Sequence, residues 1–429
     1  MIKFVPIPAS LFQENRNRLR KLLPPRSLVI LNANDVMPAN ADGTLGFIQN
    51  ADLFYLSGIL QEQTILVMAP DASDPSYREM LFLRRTDEHT LIWEGPKLTR
   101  DEARRISGID HVRWLDEFPL IFRQLMCEME LVYLNTNEHY RALPEVETRD
   151  VRFIRECQRQ YPLHRYCRLA PLMHELRTVK APIEIDLIRK ACQLTGRAFR
   201  RVLRCIRPGI NESELEAEFA REFIRNRATF AYPPIIASGP NTCILHYTRN
   251  DRQCRAGELL LLDVAANYGS YNSDMTRTVP VSGRFTRRQR QVYDAVLRVF
   301  RQMTRALVPG KTLADLRQEA ETLIAEECRQ LGLLPQRTRR ASRGNEPPVR
   351  QFFMHGVTHP IGLDVHDVLK PGQKIGPGWV VTCEPAIYVR EEGFGIRLEN
   401  TFLITDKDPV DLMADIPIEP DEIEGLMKH

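Results

Sequence analysis

Three of the chain's ten histidines fall in one short stretch, Phe352-Phe-Met-His-Gly-Val-Thr-His-Pro-Ile-Gly-Leu-Asp-Val-His366, set among apolar residues and glycines. Imidazoles beside apolar walls suit metal binding or proton transfer near neutral pH. The spacing is not the His-Glu-x-x-His of a zinc-binding helix. Gly356, Val357, Thr358 and Pro360 all disfavour a helix here. An extended segment with its turn is expected, with His355 and His359 on one face by the period of two.

Two further stretches supply acids. Leu259 to Leu262 run into Asp263, and Asp274 follows beyond Tyr268-Gly269. A hairpin turning at those two residues sets Asp263 directly opposite Asp274, with Cβ atoms about 5 Å apart. Val380 to Cys383 lead into Glu384, and Gly395 to Leu398 lead into Glu399, around a polar turn at Arg390 to Gly393. Pairing across that turn sets Glu384 opposite Glu399. Carboxylates so placed inside runs of strand formers need a proton or a cation between them. Two Asp, two Glu and at least one His, without a thiolate, suit two divalent ions such as Mn²⁺, Mg²⁺, Co²⁺ or Fe²⁺ better than a structural zinc.

The elements that must position these groups follow an α/β (α+β) pattern. Strand-like runs begin at Ser27, Thr64, Glu79 and Leu131, with amphipathic segments at Leu11 to Leu23 and Phe118 to Met129. A mixed sheet with packed helices is expected over residues 1–150. No glycine fingerprint follows those strands, which leaves dinucleotide binding without support. Residues 151–175, rich in arginine, are expected to form a helical connector. Residues 176–429 are expected to form a second domain, with helices from Pro182 and at about 212–226, 286–307 and 312–331. Asn211 and Thr312 are suited to cap two of them. The arginine-rich stretch 337–350 is expected to be a solvated loop.

Composition narrows the function classes. At 429 residues, with 43% hydrophobic and 27% charged residues, the chain is expected to be globular with two or three domains. A net charge of +3 gives no footprint for nucleic acid. No apolar run reaches the roughly 18 residues of a membrane span, and the N-terminus has no signal-peptide pattern. Nine cysteines without a Cys-x-x-Cys pair point to reduced thiols and a cytoplasmic setting.

The ordered set Asp263, Asp274, His359, Glu384 and Glu399 resembles the five metal ligands of the aminopeptidase P and prolidase group of pita-bread metallopeptidases. Ile244-Leu-His-Tyr-Thr, Met354-His-Gly-Val-Thr-His, Gly362-Leu-Asp-Val-His-Asp and Gly395-Ile-Arg-Leu-Glu-Asn agree with it. The resemblance implies a creatinase-like N-terminal domain, a pita-bread catalytic domain and a centre of two divalent ions, usually Mn²⁺. It implies catalytic roles for His246, His355, His366, Glu384 and Arg397, with Arg397 beside Glu399. Phe47 to Gly58 is similar to the bacterial aminopeptidase P type, so removal of the first residue from peptides with proline second is expected. Prolidase action on Xaa-Pro dipeptides and a catalytically silent binding protein are the alternatives. Asp35, Trp93 and Tyr388 are implied to bind substrate, Trp93 from a neighbouring subunit, which implies a homo-oligomer, dimer or tetramer. Arg249, Pro360 and Ala386 depart from the group's pattern at the rim of the pocket.

Overall fold

The computed structural model describes residues 6–336 and 347–428. Two compact units divide the chain, one spanning Pro6–Arg177 and the other Thr178–His429.

The first unit is built on a six-stranded sheet of β1 (Ser27–Asn32), β2 (Ile65–Met68), β3 (Glu79–Leu83), β4 (His111–Trp114), β5 (Leu131–Leu134) and β6 (Arg165–Arg168), in the order β4-β3-β2-β1-β5-β6. β2 pairs antiparallel with β1 and β3, while β1–β5, β5–β6 and β3–β4 are parallel. The sheet is therefore mixed, as the alternation of runs predicts. Leu28, Ile30, Val67, Phe82 and Val132 share a buried cluster with Phe118, Phe122 and Leu125 of the helix Phe118–Glu128. The helix Ala9–Leu22 buries Leu11, Phe12 and Leu19.

Residues 151–175 differ from the expected helical connector. After the helix Arg149–Gln160 they supply β6, then enter the helix Ala170–Thr178. β6 is an edge strand, Arg-Tyr-Cys-Arg, with no fully buried side chain. Tyr166 packs against the core cluster but Arg165 and Arg168 are exposed, so this short edge strand carries no apolar run and the sequence offers no strand signal there. β4 is the opposite edge, and with Val112 as its one buried residue it too lacks an apolar run.

The second unit holds the acid-bearing hairpins against long helices, Pro182–Leu203, Glu212–Arg225, Arg287–Ala306 and Leu313–Gln330. Asn211 and Thr312 cap as expected, each in a reciprocal box with the residue three further on. The strands are β7 (Thr229–Phe230), β8 (Ile235–Ser238), β9 (Leu259–Asp263), β10 (Ala266–Tyr268), β11 (Tyr271–Asn272), β12 (Thr276–Pro280), β13 (Val380–Cys383), β14 (Ala386–Val389), β15 (Phe394–Arg397) and β16 (Asn400–Leu403). β9 lies between β8 and β12.

The first hairpin turns one residue later than expected. Tyr268 pairs with Tyr271, so Gly269 and Ser270 form the turn, with φ of 62° and 69°. Such a turn needs positive φ at both central residues, which glycine adopts freely and the bulky Tyr268 does not. The register shifts by two, and Asp263 stands opposite Thr276. Asp274 remains on the same face by the period of two. In the second hairpin Ala386 pairs with Arg397 and, on its far side, Cys383 pairs with Asn400. The same register runs through both pairs and sets Glu384 across from Glu399, as expected.

Of the arginine-rich stretch, residues 337–346 lie outside the described residues. Pro348–Gln351 is a short 3-10 turn, and Arg350 pairs with Glu321 at 3.0 Å.

Candidate metal centre

Backbone pairing brings the three stretches together. β12 is shared: Thr276 faces Asp263 on one side and bridges to Glu399 on the other, with Glu399 N–H donating to Thr276 O at 3.0 Å. The histidine segment runs extended beside β13. Glu384 N–H donates to Val357 O, and Thr382 N–H to His359 O, both at 2.9 Å. His359 and Glu384 are thereby held side by side.

Ligand atoms of Asp274, His359 and Glu399 all lie within 4.8 Å of one another, and the three residues are buried. His359 Nε2 is 3.4 Å from Asp274 Oδ2 and 3.8 Å from Glu384 Oε1. His359 Nδ1 lies 2.9 Å from Pro360 O. A carbonyl only accepts, so Nδ1 carries the proton and the Nε2 lone pair faces the acids, the tautomer a metal ligand requires.

The acids are poorly suited to ionise together. Burial, with Asp263 beside it, pushes Asp274 up to about 8. Burial and neighbouring carboxylates hold Glu384 and Glu399 well above the usual carboxylate range. The Tyr232 hydroxyl lies 2.6 Å from Oδ1 of both Asp263 and Asp274. One phenol proton serves one acceptor at a time, so the second contact asks for another proton or a cation. Oxygen-rich donors with one correctly oriented imidazole fit a hard or borderline divalent ion.

Other side chains aim the acids. Thr276 Oγ1 donates to Glu399 Oε2 at 2.6 Å and accepts from Arg397 Nε at 3.0 Å. Arg397 also donates from Nη2 to Asp263 Oδ2 at 2.5 Å and from Nη1 to the Tyr388 hydroxyl at 2.7 Å. His355 Nε2 lies 2.9 Å from that same hydroxyl, and its Nδ1 is 3.4 Å from Glu384 Oε2. Arg397 is hydrogen-bonded to Glu399 through Thr276 and lies close enough for their charges to interact; its ion pair is with Asp263.

His355, His359, Glu384, Arg397, Asp263, Asp274 and Glu399 thus form one connected cluster, and the His366 ring centroid lies 4.3 Å from that of His359. His246 is exposed, on the loop after the 3-10 turn Gly239–Cys243, and makes no hydrogen bond to the acids among the described residues. Tyr388 is fully buried between His355 and Arg397. Burial shields it from a peptide, so its expected substrate contact gives way to holding those two side chains. In the first unit, Asp35 accepts from Arg149 N–H at 2.7 Å and pairs with Arg152. Trp93 is 73% exposed on the helix Glu88–Trp93. Sequence reasoning missed Tyr232 and Thr276. Thr276 was findable, two residues beyond Asp274 on the same strand face; Tyr232 comes from a separate segment with no periodic signal.

Residues 186–406 match metallopeptidase family M24, more than half of the chain. The chain belongs to this family. Residues 12–133 match the N-terminal domain of aminopeptidase P. The chain is 33% identical to an Escherichia coli (strain K12) Xaa-Pro aminopeptidase over 97% of both chains. It is 31% identical to mouse Xaa-Pro aminopeptidase 3 over 93% of this chain and 80% of that one. Among solved structures, a putative aminopeptidase P from Bacillus anthracis superposes with a TM-score of 0.91 at 32% identity, covering 98% of each chain. E. coli aminopeptidase P with the inhibitor Pro-Leu superposes at 0.84 and 32% identity, covering 99% of each. The M24 chain is thus a metallo-hydrolase with an aminopeptidase P N-terminal domain ahead of its pita-bread catalytic fold, and its cluster of acids and histidine is where a metal is implied.

Proposed function

We propose that this chain is an Xaa-Pro aminopeptidase that releases the first residue of peptides with proline second, using two divalent ions, most readily Mn²⁺. The observation that carries the reading is the buried cluster Asp274, His359 and Glu399, joined by Asp263 and Glu384, in a chain that matches Xaa-Pro aminopeptidases along nearly its full length. Asp263, Asp274, His359, Glu384 and Glu399 would hold the ions. Bound there, divalent ions supply Lewis acidity and a nucleophile drawn from water at neutral pH.

The chain's own residues do the rest. Glu384, set between His355 and His359, is placed to take a proton from the attacking water and pass it toward the leaving proline nitrogen. His366, beside His359, is placed to steady charge that develops on the scissile carbonyl oxygen. Arg397 holds Asp263 in place through their ion pair, and through Thr276 orients Glu399. His246 is assigned to the substrate's side of the cleft. Proline lacks an N–H and fixes φ, so a shaped pocket is required where ordinary peptidases rely on that donor.

Within the proposal, residues 176–429 are the catalytic domain and Asp35 and Trp93 contribute to peptide binding. Leu91, Ile92 and Trp93 stand exposed in succession, which supports burial against a second copy and a homo-oligomer. All nine cysteines are free, which supports a reducing, cytoplasmic setting.

The test is hydrolysis by the Mn²⁺-loaded protein of an Xaa-Pro-Yaa tripeptide against the matching Xaa-Pro dipeptide. Faster release from the tripeptide is expected. Preference for the dipeptide would make the chain a prolidase, and cleavage of neither would leave a binding protein.

A further inference from the structure

Glu212 is fully buried at the start of the helix Glu212–Arg225, yet its carboxylate faces away from that helix. Oε1 accepts from Ser238 N–H and Ser238 Oγ, both at 2.7 Å. Oε2 accepts from Arg252 N–H at 2.9 Å and from the Tyr247 hydroxyl at 2.8 Å. Ser238 ends β8 and Arg252 lies at the far end of the following loop, so one carboxylate ties both stems together. The Arg252 guanidinium is itself engaged by Glu258 at 2.6 Å, which leaves Glu212 held by hydrogen bonds rather than by an ion pair.

Between those stems lies His246. Its neighbour Tyr247 is buried and fastened to Glu212, while Ile244 and His246 are exposed. The first half of the loop is fixed separately: Thr242 Oγ1 accepts from Gly395 N–H at 2.7 Å. Gly395 suits this approach because a Cβ there would come within 2.8 Å of Thr242 O and 2.4 Å of Tyr388 Cδ1. Asn250 secures the second half, accepting from Ile236 N–H and donating to Glu216 and Pro234 O. The imidazole of His246 makes no hydrogen bond among the described residues, so its location rests on the backbone that Tyr247 and Glu212 pin. A buried carboxylate satisfied by four donors is a rigid anchor, and losing its acceptors leaves buried donors unpaired.

We infer that Glu212, acting through Tyr247, is the positioning residue that presents His246 to the peptide. This rests on the aminopeptidase reading above and on the role assigned there to His246. A positioning defect costs rate because small displacements of a substrate-contacting group carry a large kinetic penalty.

The test is a double-mutant cycle on the metal-loaded protein, with Tyr247→Phe, His246→Ala and the pair, reading kcat/KM for an Xaa-Pro-Yaa tripeptide, Kd for Pro-Leu and thermal midpoint. Tyr247→Phe is expected to lower kcat/KM about tenfold alone and less than about twofold in the His246→Ala background, with the same thermal shift in both. Glu212→Gln, which keeps one acceptor oxygen and opposes two donors, is expected to exceed Tyr247→Phe in both rate loss and weakened Pro-Leu binding. If His246→Ala is harmful but Tyr247→Phe leaves kcat/KM unchanged, or lowers it equally in both backgrounds, the positioning role is overturned. If His246→Ala itself changes neither kcat/KM nor Kd while the wild type cleaves the tripeptide, His246 has no role and the inference falls with it. Absence of cleavage by the wild type would instead overturn the aminopeptidase reading.

Discussion

At the residue scale, the cluster works because each acid has a second partner that fixes which oxygen points inward. Thr276 shows this most sharply. Its single hydroxyl donates to Glu399 and accepts from Arg397, so it links the ion pair on Asp263 to the orientation of Glu399. Thr276→Val keeps the shape and removes both bonds. We expect it to cost about 1–3 kcal/mol of stability through the unpaired buried groups, and to weaken metal binding, measured by thermal midpoints with and without added Mn²⁺. An unchanged metal-dependent shift would mean that Glu399 is oriented without Thr276. Asp150 in the N-terminal unit gives a pH prediction free of the metal centre. Burial, opposed by the Asn32 side-chain bond, lifts its carboxyl from 3.8 to about 6. A raised folded value favours the protonated native form, so this stabilisation is complete below about pH 3.8 and is lost as pH rises through about 6. Asp150→Asn should therefore gain stability relative to the wild type between pH 4.5 and 7.5, by up to about 3 kcal/mol. Denaturant midpoints at the two pH values check it, and a constant difference would contradict it.

At the element scale, the two hairpins show what pattern alone can reach. Acids at the ends of buried leucine and valine runs, and a glycine-bearing turn, were enough to place four carboxylates on facing strands. The turn residue was not legible, because Tyr268-Gly269 and Gly269-Ser270 differ only in which non-glycine residue must take positive φ. Gly269→Ala should destabilise by about 1–2 kcal/mol, since alanine pays for the left-handed backbone. Ser270→Gly should be neutral or stabilising. If Gly269→Ala is harmless in a denaturation series, the turn is not the one described. Tyr232 was invisible for a different reason: its segment shares no strand with the acids it bridges. Edge strands β4 and β6 lacked an apolar run, because only one side chain of each four-residue strand, Val112 and Tyr166, turns into the core. Gly362 also acts at this scale. It sits between His359 and His366, where a Cβ would meet Asp367 Oδ2 at 2.3 Å and Lys180 Cε at 2.8 Å. Lys180 and Asp367 form an ion pair at 2.8 Å with side chains 1% exposed. Gly362→Ala must push that buried pair apart. The expected loss is several kcal/mol, about 3–5 if the pair breaks outright. Lowered activity should accompany it, because both flanking histidines shift; a variant of normal thermal midpoint and rate would show that the pair yields easily.

At the scale of the whole molecule, the two units have different jobs and different legibility. The second unit was readable from its chemistry, since acids and histidines at paired strand positions have few peaceful explanations. The first unit was readable only as an α/β layer, because Asp35 and Trp93 carry no pattern of their own and were named through resemblance alone. Matches to aminopeptidase P over nearly the full length of the chain confirm the family and the fold of both units. The central claim is that the buried acids and His359 hold ions on which Xaa-Pro cleavage depends. The most direct measurement is a titration of the metal-stripped protein with Mn²⁺, following release of the first residue from an Xaa-Pro-Yaa peptide. Activity should rise from near zero and saturate at two ions per chain, and His359→Ala should fail to recover at the same concentrations. Full activity in the stripped protein, or saturation unaffected by His359→Ala, would contradict the account.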